Sequence, residues 1–150
     1  MTVEFAAELY GHAIAMEREA ADRYSEFAGT MEELGNHAVS ALFRLLSGCE
    51  ARHLEELTRR AATLALPPLD ADHSWPRGEG PETPAHGQLS RAMTQRQALG
   101  IALEAEKGAR AFFEQAARVA PDADTRALAE EMAAEEAHHA VLIERLLQAL

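Results

Sequence analysis

Five of the six prolines in this 150-residue chain fall between Pro67 and Pro84, in a stretch that also holds Gly78, Gly80, Gly87 and the single Trp75. Proline cannot sit inside a helix or a central strand without removing a hydrogen bond, so this stretch cannot be regular structure. The segments on either side are almost free of proline, and each is interrupted once, by Gly29 to Asn36 and by Ala120 to Asp124. Thirty-two Ala and 18 Leu stand against seven Val plus Ile, a balance that suits helices and not pleated sheets. The punctuation predicts four helices, at about 3–29, 37–65, 91–119 and 123–149. The short breaks pair them as two antiparallel hairpins. A crossover at about 66–90 is long enough to join the second and third helices in parallel sense, and Trp75 is expected to anchor it by packing. The expected fold is an all-α, antiparallel four-helix bundle in a single domain over 1–150.

Each helix carries an apolar stripe at three- and four-residue spacing, which marks the buried face. In the first helix the stripe runs Tyr10, Ala13, Ile14, Glu17, Ala20, Ala21, Tyr24 and Phe27, with a carboxylate in its middle. The third repeats it as Leu99, Ala102, Leu103, Glu106, Ala109, Phe113 and Ala116. Glu17 to Tyr24 and Glu106 to Phe113 are each two turns, so the halves read as an internal duplication. Tyr24 fits either a donor to a ligating carboxylate or simple packing, and Phe113, lacking a hydroxyl, makes the two halves differ.

The second helix contains Glu50-Ala-Arg-His53, and the fourth contains Glu135-Glu136-Ala-His138-His139, two overlapping Glu-x-x-His pairs. Residues three apart project from nearly the same side of a helix, so such a pair can hold one ion. With 20 Glu and seven His, chance gives about one such pair, and three are present. Position is more telling. Residues equidistant from the turn of an antiparallel hairpin lie at equal height; Glu17 and Glu50 average to 33.5, and Glu106 and Glu136 average to 121, both inside the turns. Each hairpin thus sets a Glu beside a Glu-x-x-His about 16 residues, or roughly 24 Å of helix, from its turn. Four carboxylates and two imidazoles inside a bundle require a cation or neutralisation. Oxygen-rich ligation with two imidazoles suits iron or manganese better than tetrahedral zinc. Neighbouring acids such as Glu19, Glu104 and Glu135 point elsewhere and are expected to be solvated. His12 and His37 are expected at the surface. His73 and His86 in the crossover are weak candidates for an accessory metal contact.

Other classes are excluded. Lys plus Arg number 14 against 25 Asp plus Glu, a net charge of −11 that disfavours nucleic acid and anionic membranes. The one cysteine, Cys49, cannot form an internal disulfide or a thiolate metal site and is expected to be a buried, inert thiol. The acidic start MTVEFAAELY does not read as a secretory signal, and no apolar run approaches a membrane span, so a cytoplasmic protein is expected.

The segments AMEREAADRYSEFA, EARHLEEL, ALEAEKGARAFFEQAA and MAAEEAHHAVLIERLL resemble the four helices of the ferritin-like superfamily, most closely the rubrerythrin-like di-iron proteins. Such proteins take one Glu from each of two helices and Glu-x-x-His from each of the other two. The resemblance implies a ferritin-like bundle holding two iron ions, or manganese, with Glu17, Glu50, His53, Glu106, Glu136 and His139 as ligands. It favours Glu136 and His139 over Glu135 and His138. Glu50 and Glu136 would bridge the metals, and Glu17 and Glu106 would be terminal. The implied function is a peroxide or O₂ reductase, or a ferroxidase, in oxidative-stress and iron handling. Ferritin-type iron storage and a non-catalytic acidic interaction module are the alternatives. A homodimer is expected. Rubrerythrins carry a further Glu where this chain has Ala109, which puts their ligand exchange in doubt, and the chain has no four-Cys rubredoxin segment. The electron donor must then be external, such as a rubredoxin-like protein.

Overall fold

A computed structural model describes residues 3–66 and 89–150. Among these, every regular element is a helix: α1 (Val3–Glu33), α2 (His37–Arg60), α3 (Gln95–Val119) and α4 (Ala123–Gln148). α1 packs along α2 and α3 along α4, the two expected hairpins.

α1 runs past Gly29 because the apolar stripe does: Met31, one turn after Phe27, is fully buried. The chain reverses at Gly35 instead, at φ +80°, a conformation that costs an L side chain about 1–2 kcal/mol. The Asn36 N–H bonds Met31 O at 2.8 Å and the Gly35 N–H bonds Glu32 O at 3.0 Å, closing the last carbonyls of α1 in a Schellman motif. Asn36 then caps α2, its side chain accepting from the Val39 N–H. Its Nδ2 donates to Arg91 O at 3.2 Å and Met93 O at 2.8 Å, just ahead of α3. The starts of α2 and α3 therefore meet at one end of the bundle, which makes the two helices parallel.

α3 begins at Gln95, later than the sequence punctuation suggested, because Thr94 and Gln97 form a capping box there. α2 ends at Arg60, where Ala61 turns out of the helix. The connection is accordingly longer than expected, and Trp75, His73 and His86 lie outside the described residues. α4 is capped by Asp122, whose carboxylate accepts from both the N–H and the hydroxyl of Thr125. Within the first hairpin, Ser40 and Ser47 of α2 donate to Ala28 O at 2.7 Å and Ala21 O at 2.8 Å of α1. Small side chains at these crossings let the two backbones approach closely.

The core forms two apolar clusters. One, toward the end where α1 begins, is built on Leu9, Met16, Leu57, Phe113, Leu128 and Met132. The other, toward the α1–α2 turn, is built on Tyr24, Phe27, Met31, Phe43, Leu99 and Ile143. Tyr24 stacks on Phe43 with centroids 6.0 Å apart, and Phe27 meets Phe43 edge-on at 5.3 Å. Along α1 the change of cluster falls between Met16 and Ala20, and along α3 between Ala102 and Ala109. The layer between the clusters is polar.

Candidate metal centre

The residues of that layer are Glu17, Glu50, Glu106 and Glu136, one from each helix, exposed by 2%, 3%, 2% and 5%. Helical periodicity puts them there: each occupies a core position of its stripe, and the tight turns keep the hairpin partners at equal height. His53 and His139 follow Glu50 and Glu136 by one turn and sit at the edge of the layer, with side chains 28% and 16% exposed.

Each imidazole turns Nδ1 toward the acids of its own hairpin. His53 Nδ1 lies 3.8 Å from Glu17 Oε2 and 3.6 Å from Glu50 Oε2. His139 Nδ1 lies 3.6 Å from Glu106 Oε2 and 3.3 Å from Glu136 Oε2. The two rings stack between the hairpins, centroids 3.9 Å apart and planes 2° from parallel. Donor atoms of Glu17, His53 and His139 all lie within 4.8 Å of one another, and so do those of Glu106, Glu136 and His139.

Four carboxylates in an apolar interior cannot all ionise. Burial, reinforced by the neighbouring Glu50, raises Glu17 well above the ordinary carboxylate range. Burial and Glu136 do the same to Glu106. Burial also opposes ionisation of Glu50, yet the adjacent Glu17, His53 and Glu106 together bring it down to about 2. Glu136 is likewise lowered, His139 and Glu106 outweighing its burial. Burial pushes the His139 imidazole down, but Glu136 beside it wins and the net shift is upward. The four acids thus divide into two that favour the proton, Glu17 and Glu106, and two that favour the charge, Glu50 and Glu136.

Glu17 Oε2, Glu50 Oε2, Glu106 Oε2 and His53 Nδ1 are buried with no hydrogen-bond partner. A buried polar atom left unpaired costs about 1–3 kcal/mol, so four in one layer call for a ligand that satisfies all of them. Divalent cations fit this donor set, with carboxylate oxygens and imidazole nitrogens converging on one layer.

Of the overlapping pairs on α4, Glu136 and His139 face the layer. Glu135 pairs instead with Arg60 of α2 at 2.9 Å, and His138 is exposed. Glu104 is exposed beside Lys107, and Glu19 is half-buried outside the layer. His37 is a surface residue paired with Glu32 at 2.9 Å. His12 differs from expectation: it is half-buried, its ring edge-on to Phe112 at 5.7 Å. Cys49 is half-buried too, taking a hydrogen bond from Arg52 at 3.2 Å, because one residue before Glu50 the helix has turned about 100° toward the surface. Sequence reasoning missed Arg60, although it stands seven residues, two turns, beyond His53 and so on the same face. A cavity beside the layer is lined by both, together with Leu57, Phe113 and Met132.

The family model for the ferritin-like domain matches residues 8–150. The chain belongs to the ferritin-like family. A crystal structure of an uncharacterized conserved protein from Magnetospirillum magnetotacticum MS-1 is similar to this ferritin-like chain at 32% identity. The alignment covers 95% of this chain and 93% of that one, with a TM-score of 0.70. Curated proteins give no significant match. The four helices paired as hairpins are thus those of a ferritin-like bundle. No helix among the described residues is long and apolar enough to cross a membrane.

Proposed function

We propose that this ferritin-like chain is a non-haem di-iron protein, a peroxide or O₂ reductase or ferroxidase of the rubrerythrin-like kind, with Glu17, Glu50, His53, Glu106, Glu136 and His139 as ligands. The observation that carries the reading is the set of partnerless buried atoms on Glu17, Glu50, Glu106 and His53, gathered in one layer between two apolar clusters. An iron pair bound there would supply two electrons to a single oxidant molecule. Glu50 and Glu136, whose carboxyls are held low, would be the acids that hold the cations without first losing a proton. Glu17 and Glu106, whose carboxyls are raised, would hold the cations too and would give up their protons in doing so. Phe113, Leu57 and Met132 place apolar groups against one side of the layer. As a reductase, the centre would draw its electrons from a separate donor, such as a rubredoxin-like protein. We take the working assembly to be a cytoplasmic homodimer.

Anaerobic titration with ferrous iron, followed by peroxide and O₂ added separately under optical monitoring, tests this reading. Saturation at two ions per chain and faster oxidation by one oxidant are expected. Failure to bind ferrous iron would leave an acidic helical interaction module. A native mass near that of a dimer is expected, and a cage-sized assembly would make the protein a storage subunit.

A further inference from the structure

A cavity of about 220 Å³ opens onto one side of the carboxylate layer. Glu17, His53, Glu136 and His139 form its inner wall, and Glu56, Arg60 and Glu135 stand farther along the helices at its rim. Arg60 is held in place from three directions. Its guanidinium donates to Glu135 Oε1 at 2.9 Å and Glu131 Oε1 at 3.4 Å, and lies 5.8 Å from the centroid of the Tyr10 ring. Only 24% of the Arg60 side chain is exposed, against 40% for Glu135 and 61% for Glu131. The rim thus carries two carboxylates, Glu56 and Glu135, and, among the described residues, a single cation that is the least exposed member of its ion-pair cluster. At the inner wall stands Glu17 Oε2, buried and without a partner.

We propose that this cavity is the path by which a divalent cation reaches the centre, and that Arg60 is the gate on that path. The proposal rests on the ligand assignment made above. A rim with excess negative charge raises the local concentration of cations, and Glu17 offers the first unsatisfied oxygen inside. Arg60 offsets part of that charge and lines the same cavity as the ligands. Its two carboxylate partners are on α4 and its aromatic support is on α1, and none of the three is a ligand, so displacing the guanidinium breaks no contact of the centre itself. Arg60 is in this sense a positioning residue: it sets the rate of entry and takes no place among the ligands.

Stopped-flow uptake of Co²⁺, read by its visible absorbance in the folded full chain, tests the proposal without any turnover. Arg60→Ala is expected to accelerate uptake by about three- to tenfold, because the rim loses the one positive charge it carries among the described residues. The double variant Glu56→Gln with Glu135→Gln is expected to slow uptake by a similar factor. Added salt should shrink both differences. The number of ions bound at saturation should stay at the wild-type value in both, with helical content by circular dichroism confirming the fold. Wild-type uptake rates in both variants, at unchanged stoichiometry, would overturn the port and leave the ligand assignment standing. No Co²⁺ uptake by the wild-type chain would overturn both.

Discussion

His53 and His139 come from different hairpins, yet their imidazoles lie parallel with centroids 3.9 Å apart, and only His139 belongs to both groups of converging donors. The pseudo-symmetry of the two halves is therefore broken at the rings. His139 is also the more buried of the two and lies closer to its carboxylates.

The asymmetry predicts unequal losses on mutation. His53→Ala should leave a centre that still binds about one ferrous ion per chain, held by Glu106, Glu136 and His139. His139→Ala removes a donor from both groups and should reduce binding to near zero. Anaerobic equilibrium dialysis against ferrous iron gives both numbers, and equal losses would mean that the two rings serve equivalent sites.

Glu50→Ala and Glu136→Ala should each abolish the paired site, since each acid faces donors of both hairpins. Glu135→Ala, which cuts only the contact with Arg60, should still saturate at two ions. Iron analysis of the three purified variants decides the matter. Loss in Glu135→Ala comparable to that in Glu136→Ala would place the wrong face of α4 in the layer.

Why the layer could be read from the sequence, and its surroundings could not, follows from the geometry. Glu17 with Glu50 and Glu106 with Glu136 are equidistant from tight turns, and straight antiparallel helices convert that arithmetic into equal height. The equal height holds even though α1 continues four residues past Gly29, because the Ser40–Ala28 and Ser47–Ala21 hydrogen bonds both centre the hairpin on position 34, within one residue of the midpoint of Glu17 and Glu50. Arg60 was not legible in this way. Its role depends on Glu131 and Glu135 of α4, about 70 residues away and set beside it only by the packing of one hairpin on the other. The half-burial of His12 is of the same kind: it follows from contact with Phe112 of α3, which no pattern within α1 encodes.

Asn36 joins three elements, ending α1, capping α2 and donating to Arg91 O and Met93 O. Asn36→Ala removes the cap and both tertiary hydrogen bonds, and should cost about 2–3 kcal/mol. The midpoint of urea unfolding should fall accordingly, while the number of ions bound by the folded fraction stays the same, because the turn is about 24 Å of helix from the layer.

Glu17→Gln and Glu106→Gln test the electrostatic cost of the site. Both acids hold protons in the metal-free layer, and an amide can donate much as a protonated carboxyl does without ever ionising. At pH 8 each variant should raise the melting temperature of the metal-free protein by roughly 3–6 °C, corresponding to about 1–2 kcal/mol. Each should also weaken cation binding. A drop in melting temperature would show that the protonated acids are not the cost they are inferred to be.

Those same shifts fix the pH dependence of metal binding. Glu17 and Glu106 have folded pKa values raised above the usual carboxylate value of 4.5, so their contribution to the stability of the metal-free fold is full below that value and declines as pH rises toward their folded pKa. Cations need both acids ionised, so binding must displace protons from them, and from His139 wherever its raised pKa keeps it charged. Apparent affinity should then rise with pH by about tenfold per unit for each proton displaced. The thermal stabilisation conferred by a fixed excess of Co²⁺ should grow between pH 6 and 8, since it follows the logarithm of ligand concentration over Kd. Calorimetric titrations in buffers of differing ionisation enthalpy count the protons directly. Net proton release on binding is expected, and release of none would mean that the layer binds cations without displacing protons from Glu17 and Glu106.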